Sequence, residues 1–487
     1  MFQEDIASQP QLFSFSYAEL VPQDSDVWLY IDLFSQIDLS EFSDLYSKQG
    51  QEAKDPELML RTIFYGLTHG AVSGRKLSDF CRYDNRFILL SGARRPDPRT
   101  FQRFLVRHDS QLKDLFANVV RLAQSMGLVS LGKIAIDGSK FRAPTSKHKA
   151  MSYGHMKKAV EQIQSELEKL KKSLAEENRK QTNEFSATLP EEIQKRERRL
   201  EKIKAAKAAL EAEKGEAIRD KDQKSFNDHE ALPMGGKNKE FGYIYNCQAA
   251  VDEKHQIIVA AEIHDSQNDA AAIGKMLDTT KETCGKNPEQ ALADSGYGSY
   301  EDIRAVESRS VDPVIALAKG EHSGKETYAD EIKAGNEENE FHCPAGKVLP
   351  IKTMHKDGMI SFHLPDGFCD HCPFLSSCKV NSRAKSGIKN PLKIHNKEKH
   401  EKIRTHRQKM RTTEIIEVYK RRKAIVEPVF GNIKNKGIKI LVKGKQKVSL
   451  WWKLAATAHN IEKMIKHLKI DPRMSASSST ATTMISG

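Results

Sequence analysis

Two short apolar runs end in aspartate in the same way. Lys133-Ile134-Ala135-Ile136-Asp137 leads into Gly138, and Gln290-Ala291-Leu292-Ala293-Asp294 leads into Ser295-Gly296. Each reads as a strand that carries a carboxylate at its C-terminal end, before a residue that permits a turn. In open α/β sheets that edge is where ligands bind. Two such acids on neighbouring strands repel each other and call for a cation. Oxygen ligands with few carboxylates suit Mg²⁺, which keeps several of its waters. Two such ions about 3.5–4 Å apart can stabilise both the attacking and the leaving oxygen of an in-line phosphoryl displacement. A single strand-end Asp is more often a turn or helix cap; the pair is what points to chemistry. A third acid should arrive on a helix docked to the sheet. Glu427 is the candidate, as the only acid between Glu417 and Glu462 and the lone one in a basic, apolar helical run.

The charge distribution names the substrate class. The chain has 487 residues and a formal net charge of +12. Residues 1–50 hold nine acids and one base, whereas residues 379–470 hold 26 Lys or Arg and six acids, a net of +20. A basic block of this kind marks a polyanion partner, most often nucleic acid. No apolar run reaches the ~18 residues of a membrane helix, and the acidic start lacks the basic region of a secretory signal. Seven Cys, an odd number in a long chain, argue against a secreted disulfide scaffold. The expected location is cytoplasmic, with no membrane partner.

Around these residues the chain divides by pattern. Residues 1–126 read as an N-terminal helical, DNA-binding segment. Asp55-Pro56-Glu57 and Asp97-Pro98 are helix starts, and Arg94, Arg95, Arg99 and Arg103 are basic clusters suited to DNA. Residues 127–143 hold the first strand. Residues 144–238 read as a helical hairpin of coiled-coil type, because Val160, Ile163, Leu167, Leu170 and Leu174, then Ile193, Leu200, Ile203 and Leu210, recur at three- and four-residue steps on either side of a break. Residues 239–318 continue the sheet with strands over 242–252 and 256–264, a helix over 268–284, and strands ending at Asp294 and near Leu317. Basic helices follow over 401–470, where Trp451-Trp452 reads as core first and base-stacking second, and a Ser/Thr-rich tail fills 471–487. The order of strands and helices predicts an α/β fold with a mixed sheet.

Between sheet and basic helices, residues 319–400 form a Cys-rich segment. Cys343, Cys369, Cys372 and Cys378 include one Cys-x-x-Cys, and Cys343-Pro344-Ala345-Gly346 resembles a zinc-knuckle turn. Four thiolates suit a closed, structural Zn²⁺ site, with His342, His363 and His371 as spare donors. Cys81, Cys247 and Cys284 read as ordinary reduced thiols.

Tyr419, Arg422, Glu427 and Lys434 resemble the tyrosine-arginine-glutamate-lysine signature of bacterial insertion-sequence transposases. Val426-Glu427-Pro428-Val429-Phe430-Gly431-Asn432-Ile433-Lys434 is its most specific stretch. Ala293-Asp294-Ser295-Gly296-Tyr297 resembles the family's second-Asp motif, Ile136-Asp137-Gly138-Ser139-Lys140 its first, and Asp55 to Asp84 its N-terminal helical domain. The resemblance covers roughly residues 50–470. It implies a ribonuclease-H-like fold in which Asp137, Asp294 and Glu427 bind two Mg²⁺ (or Mn²⁺). It also implies a DDE reaction in which water, then the freed 3′-hydroxyl, attacks DNA. By the same resemblance Tyr419, Arg422 and Lys434 belong to the DNA-contacting set. The family's Arg stands four residues before the Glu; here Lys423 holds that place and Arg422 lies five before, so Lys423 joins the set. The partners implied are DNA, as element ends and target, and a second copy of the chain in a homodimer. A nuclease on the same fold and a DNA-binding regulator or inactive relic are the competing functions.

Overall fold

The computed structural model describes residues 16–45, 54–146, 149–179, 188–234, 242–318, 328–356, 358–380 and 392–470. The Ser/Thr-rich tail at 471–487 lies outside them. The chain forms two compact units, one from residues 1–129 and 429–487, the other from 130–428.

The first unit is helical. Its helices are α1 (Val27–Ser35), α2 (Ser40–Ser43), α3 (Pro56–Thr68), α4 (Gly74–Tyr83), α5 (Asn85–Leu90), α6 (Pro98–Arg107) and α7 (Asp109–Ser125). Their starts obey local chemistry. Asp55 accepts the Glu57 N–H at 2.8 Å, Ser73 that of Lys76 at 3.3 Å, and Asp97 that of Thr100 at 2.6 Å. Each satisfies an amide that the first helical turn leaves unpaired, a contribution of about 1 kcal/mol. Pro56 and Pro98 stand in first turns, where no amide hydrogen is needed. The C-terminal helix, Lys445–Ile470, packs on α7, α3 and α1. Trp452 is fully buried in it and stacks on Phe430 at a centroid distance of 5.9 Å, the core role expected of it. The basic run 401–470 is thus shared between the two units.

The second unit is a mixed α/β structure. Its central sheet holds β1 (Lys133–Arg142), β4 (Leu232–Met234), β5 (Gly242–Asp252), β6 (Ile258–His264), β7 (Gln290–Ala293) and β8 (Asp312–Ile315). The order is β4-β5-β1-β7-β8, with β6 also paired to β5. β1 is antiparallel to β5 and parallel to β7, and β7 is parallel to β8. All eleven residues of β5 are buried, as an interior strand covered on both faces requires. Helices α10 (Ile273–Cys284) and α11 (Tyr300–Glu307) follow β6 and β7.

β1 departs from the sequence reading. The expected strand ended at Asp137 with a turn at Gly138; the observed one continues to Arg142. β5 supplies an antiparallel partner along its whole length, with Asp137 opposite Ala249 and Gly138 opposite Gln248. Glycine stands in the strand because Gln248 Nε2 lies 2.3 Å from where a Cβ would be. Asp137 is therefore a mid-strand residue.

The chain between β1 and β5 rises as two 27-residue helices, α8 (Tyr153–Arg179) and α9 (Thr188–Lys214), above a small ribbon of β2 (Ala150–Ser152) and β3 (Gln223–Ser225). Tyr153 bonds Glu211 at 2.7 Å, Arg196 pairs with Glu166 at 3.1 Å and Lys171 with Glu197 at 2.7 Å. Partners early in one helix meet partners late in the other, so the pair is antiparallel. Met156, Ile163, Leu167, Ile193, Ile203 and Ala206 form its buried seam.

After β8 come α12 (Tyr328–Glu331), the ribbon of β9 (Lys333–Ala334) and β10 (Phe341–His342), and a three-stranded sheet, β11 (Ile351–Met354), β12 (Met359–Phe362) and β13 (Leu392–His395). Helix α13 (Lys397–Lys409) ties this part to the central sheet. Its buried His400 and His406 reach the Ile332 and Ile315 carbonyls at 2.9 and 2.8 Å. Burial lowers both imidazole pKa values, so the rings are held neutral. Arg407 pairs with Asp330, Lys409 with Asp312 and Lys402 with Glu307. Part of the basic excess is thus spent inside the fold. Helix α14 (Thr413–Asn435) follows, with the boundary between the units at Pro428.

Candidate active site

Parallel pairing of β1 with β7 sets the geometry. Lys133 faces Gln290, Ile134 faces Ala291 and Ala135 faces Leu292. Two residues further on, the same register puts Asp137 level with Asp294. Adjacent strands lie about 4.8 Å apart, so the carboxylates enter one small region. β7 ends at Ala293, and Asp294 caps the 3₁₀ turn Ser295–Tyr297 by accepting the Gly296 N–H at 2.8 Å. Asp137 accepts the Gly138 N–H at 2.8 Å through Oδ1.

Burial pushes the Asp137 pKa up. The Gly138 N–H and the Arg422 guanidinium oppose that rise, and the charges of Asp294 and Asp269 add to it. This is the electrostatic mark of carboxylates gathered where water is scarce. Arg422 lies 3.3 Å from Asp137 Oδ2, and its side chain is only 7% exposed. It comes from α14, one turn after Tyr419. Burial raises the Tyr419 pKa, and Arg422, Asp294 and Asp137 all act on that ring. Tyr419 and Arg422 therefore work on the aspartate pair from one helix face.

Glu427 is placed differently. Its side chain is exposed, as is that of Lys423. A proline disfavours the α conformation in the residue before it, which predicts a helix start or kink at Glu427; the observed helix runs through Pro428. Pro428 has no amide hydrogen for the Ala424 carbonyl four residues back. The Gln256 side chain, from the β5–β6 turn, donates to that carbonyl at 2.8 Å instead. The sheet unit thereby satisfies the acceptor that the proline orphans, just before Glu427. Lys434 belongs to the helical unit and is exposed.

One acid outside the three singled out in the sequence, Asp269, belongs with this group. Asp269 precedes α10, yet α10 has no side-chain cap. Instead Asp269 Oδ1 accepts from Asn246 Nδ2 at 2.9 Å and Gln248 Nε2 at 2.8 Å. Nothing in local spacing could show this, because both amides come from β5, some 20 residues earlier. Among the described residues, no group of three or more His, Cys, Asp or Glu side chains is drawn close enough to hold a metal ion. The donors near Asp137 are nevertheless all oxygens, and their mutual repulsion is of the kind a hard cation relieves.

The cysteines also converge. Cys343, Cys369, Cys372 and Cys378 line one cavity of about 20 Å³ with Phe368 and Val380. Burial raises the Cys369 thiol pKa, and the other three cysteines raise it further. The Cys343-Pro-Ala-Gly346 turn closes with the Gly346 N–H on the Cys343 carbonyl at 2.9 Å, with Gly346 at φ 78°. His342 pairs with Glu340 at 2.8 Å rather than facing the thiols.

Two family models match the chain. One, described as a transposase DDE domain, matches residues 342–465; the other, described as a transposase domain (DUF772), matches residues 15–107. The first spans the four cysteines, Tyr419, Arg422, Lys423, Glu427 and Lys434. Asp137 and Asp294 lie outside both. No curated protein and no solved structure matches the chain.

Proposed function

Because this chain belongs to the DDE-type transposases of insertion sequences, we propose that it cuts and rejoins DNA at the ends of a mobile element by metal-assisted phosphoryl transfer. The observation that supports this most is the register of β1 and β7, which sets Asp137 beside Asp294 on parallel strands of a mixed sheet. On this reading the sheet is ribonuclease-H-like, and α8–α9 and the Cys-rich segment are additions to it. Asp137, Asp294 and Glu427 are the acids that hold Mg²⁺ or Mn²⁺. Ions bound there supply charge stabilisation to the attacking and leaving oxygens of the phosphodiester. Arg422 and Tyr419 position Asp137, and Arg422 would be free to turn to a phosphate if a cation were held by the acids instead. Glu427, exposed on α14, closes on the pair when DNA is bound, with the homodimer on DNA as the working form.

The exposed bases Lys420, Arg421 and Lys423 on α14, with Lys434, Lys443 and Lys447, supply the phosphate contacts. Binding to DNA that carries the gene's own flanking ends is therefore expected to be steeply salt-dependent. A protein with six to ten phosphate contacts loses about 10³–10⁵ in affinity between roughly 50 and 200 mM salt. Fluorescence anisotropy across that range tests this; a flat profile would remove DNA as the partner.

We also propose that Cys343, Cys369, Cys372 and Cys378, which line one cavity, would hold a structural Zn²⁺ once drawn together around it. Elemental analysis of the purified chain is expected to give about one zinc per chain, since four thiolates close one tetrahedral site. Cys372→Ser is expected to lose that zinc and to unfold the segment around β11–β13 first. A zinc-free chain that remains folded there would rule the site out.

A further inference from the structure

Asp269 stands beside the aspartate pair, and its side-chain hydrogen bonds among the described residues come from two amides of β5. Its side chain caps no helix. The amide that a cap there would serve, that of Ala271, is taken by Asp302 at 2.9 Å. Asp269 makes no ion pair among the described residues. Its two hydrogen bonds both fall on Oδ1, from Asn246 and Gln248, and among the described residues none falls on Oδ2.

The donors are themselves fixed. Asn246 is fully buried and Gln248 is 1% exposed. The Tyr297 hydroxyl donates to Gln248 Oε1, so Nε2 is the end that faces Asp269. Tyr297 belongs to the same Asp294-Ser295-Gly296-Tyr297 segment that carries the second strand-end acid. A buried network therefore runs from that segment through Gln248 to Asp269 and fixes the orientation of the carboxylate.

Two glycines leave room for it. Asp269 Oδ1 lies 2.5 Å from the Cβ position of Gly138, and Oδ2 lies 3.5 Å from that of Gly296. Gly138 follows Asp137, and Gly296 is the residue whose N–H holds Asp294. The carboxylate thus sits over both backbone segments that present the aspartate pair. Its charge acts on Asp137 and on Tyr297. Three like charges would not be brought together and hydrogen-bonded in place for stability alone, since each repels the others.

We propose that Asp269 is a further carboxylate of the Asp137–Asp294 centre, in addition to Glu427, and that it would offer a divalent cation the oxygen that its amide clamp leaves open. This rests on the reading of that centre as a cation site. The test is Mn²⁺ binding to the full chain, followed by electron paramagnetic resonance of free Mn²⁺ and by calorimetry. Asp269→Asn removes the charge but keeps an oxygen for Asn246 and Gln248, so the fold around it is retained. It is expected to weaken Mn²⁺ binding tenfold or more, with unchanged circular dichroism. Asp269→Glu, which keeps a carboxylate, is expected to retain more affinity than Asp269→Asn. If Asp269→Asn binds Mn²⁺ as the wild type does while Asp137→Asn does not, Asp269 is structural and the proposal fails with the centre intact. Equal losses in the Asn and Glu variants would also overturn it. If the wild type binds no Mn²⁺, the cation centre itself falls, and this inference with it.

Discussion

Asp137→Asn is expected to lower DNA strand cleavage by at least about 1000-fold, the scale of loss when one member of a catalytic unit is removed, while DNA affinity changes little. The side chain sits mid-strand, level with Asp294, and the exposed bases proposed to meet phosphate lie on other elements. The same variant carries a second signature, in stability. Burial and the charges of Asp294 and Asp269 hold the Asp137 pKa above its unfolded value, despite Arg422. An acid shifted this way costs stability when ionised. The folded state holds its proton more tightly, so stability falls as pH rises from the ordinary Asp value through the raised one, and stays reduced above it. Asparagine has no such cost. With chelator present, the difference in thermal midpoint between variant and wild type should move in favour of the variant across that window. A difference that is flat with pH would mean that Asp137 ionises as freely as an exposed Asp, and the crowding argued for it would be wrong.

Asp330→Ala is expected to cost about 3–5 kcal/mol, the usual result of leaving a buried charge without its partner. Asp330 and Arg407 are 10% and 5% exposed. The same carboxylate takes Arg411 at 3.4 Å, and the Asp330 carbonyl accepts from Arg404 at 3.2 Å. One acid on α12 thus holds three arginines from α13 and the turn after it, immediately before α14. The destabilisation is read by urea denaturation. A further change, Arg407→Met in the Asp330→Ala background, should recover part of the loss, because the stranded charge is then gone. Loss of less than about 1 kcal/mol in the single variant would show that the pair is solvated, as surface ion pairs are. The variant also bears on function, since α13 leads into the helix that carries Tyr419, Arg422 and Glu427.

Local rules made much of this legible in the sequence. Capping acids placed the starts of α3 and α6, and the three- and four-residue steps of Ile163, Leu167 and Ile203 found the hairpin. Short apolar runs ending in aspartate located β7 and the beginning of β1. What stayed hidden depends on tertiary contact. Gly138 reads as a turn until β5 is known to lie beside it, and Asp269 reads as a cap until Asn246 and Gln248 are known to hold it. Arg422 reads only as a member of the DNA-contacting set until the fold shows it buried against Asp137. The division of residues 401–470 between two units was equally invisible, because it follows from where the buried faces of separate helices meet. Pro428 illustrates the limit in a single residue: its lost hydrogen bond was predictable, but the partner that replaces it, Gln256, was not.

The most direct measurement mixes the purified chain with DNA carrying the gene's own flanking ends and a target duplex, in Mg²⁺ or in EDTA, and resolves the products on a sequencing gel. Nicks at the element ends and joined products carrying the freed 3′-hydroxyl strand are expected in Mg²⁺ alone, with none from Asp137→Asn or Asp294→Asn. Cleavage in EDTA, or full activity in either variant, would contradict the assignment of the metal-dependent reaction to this pair. Cleavage without joining would leave a nuclease, and binding without cleavage a regulator.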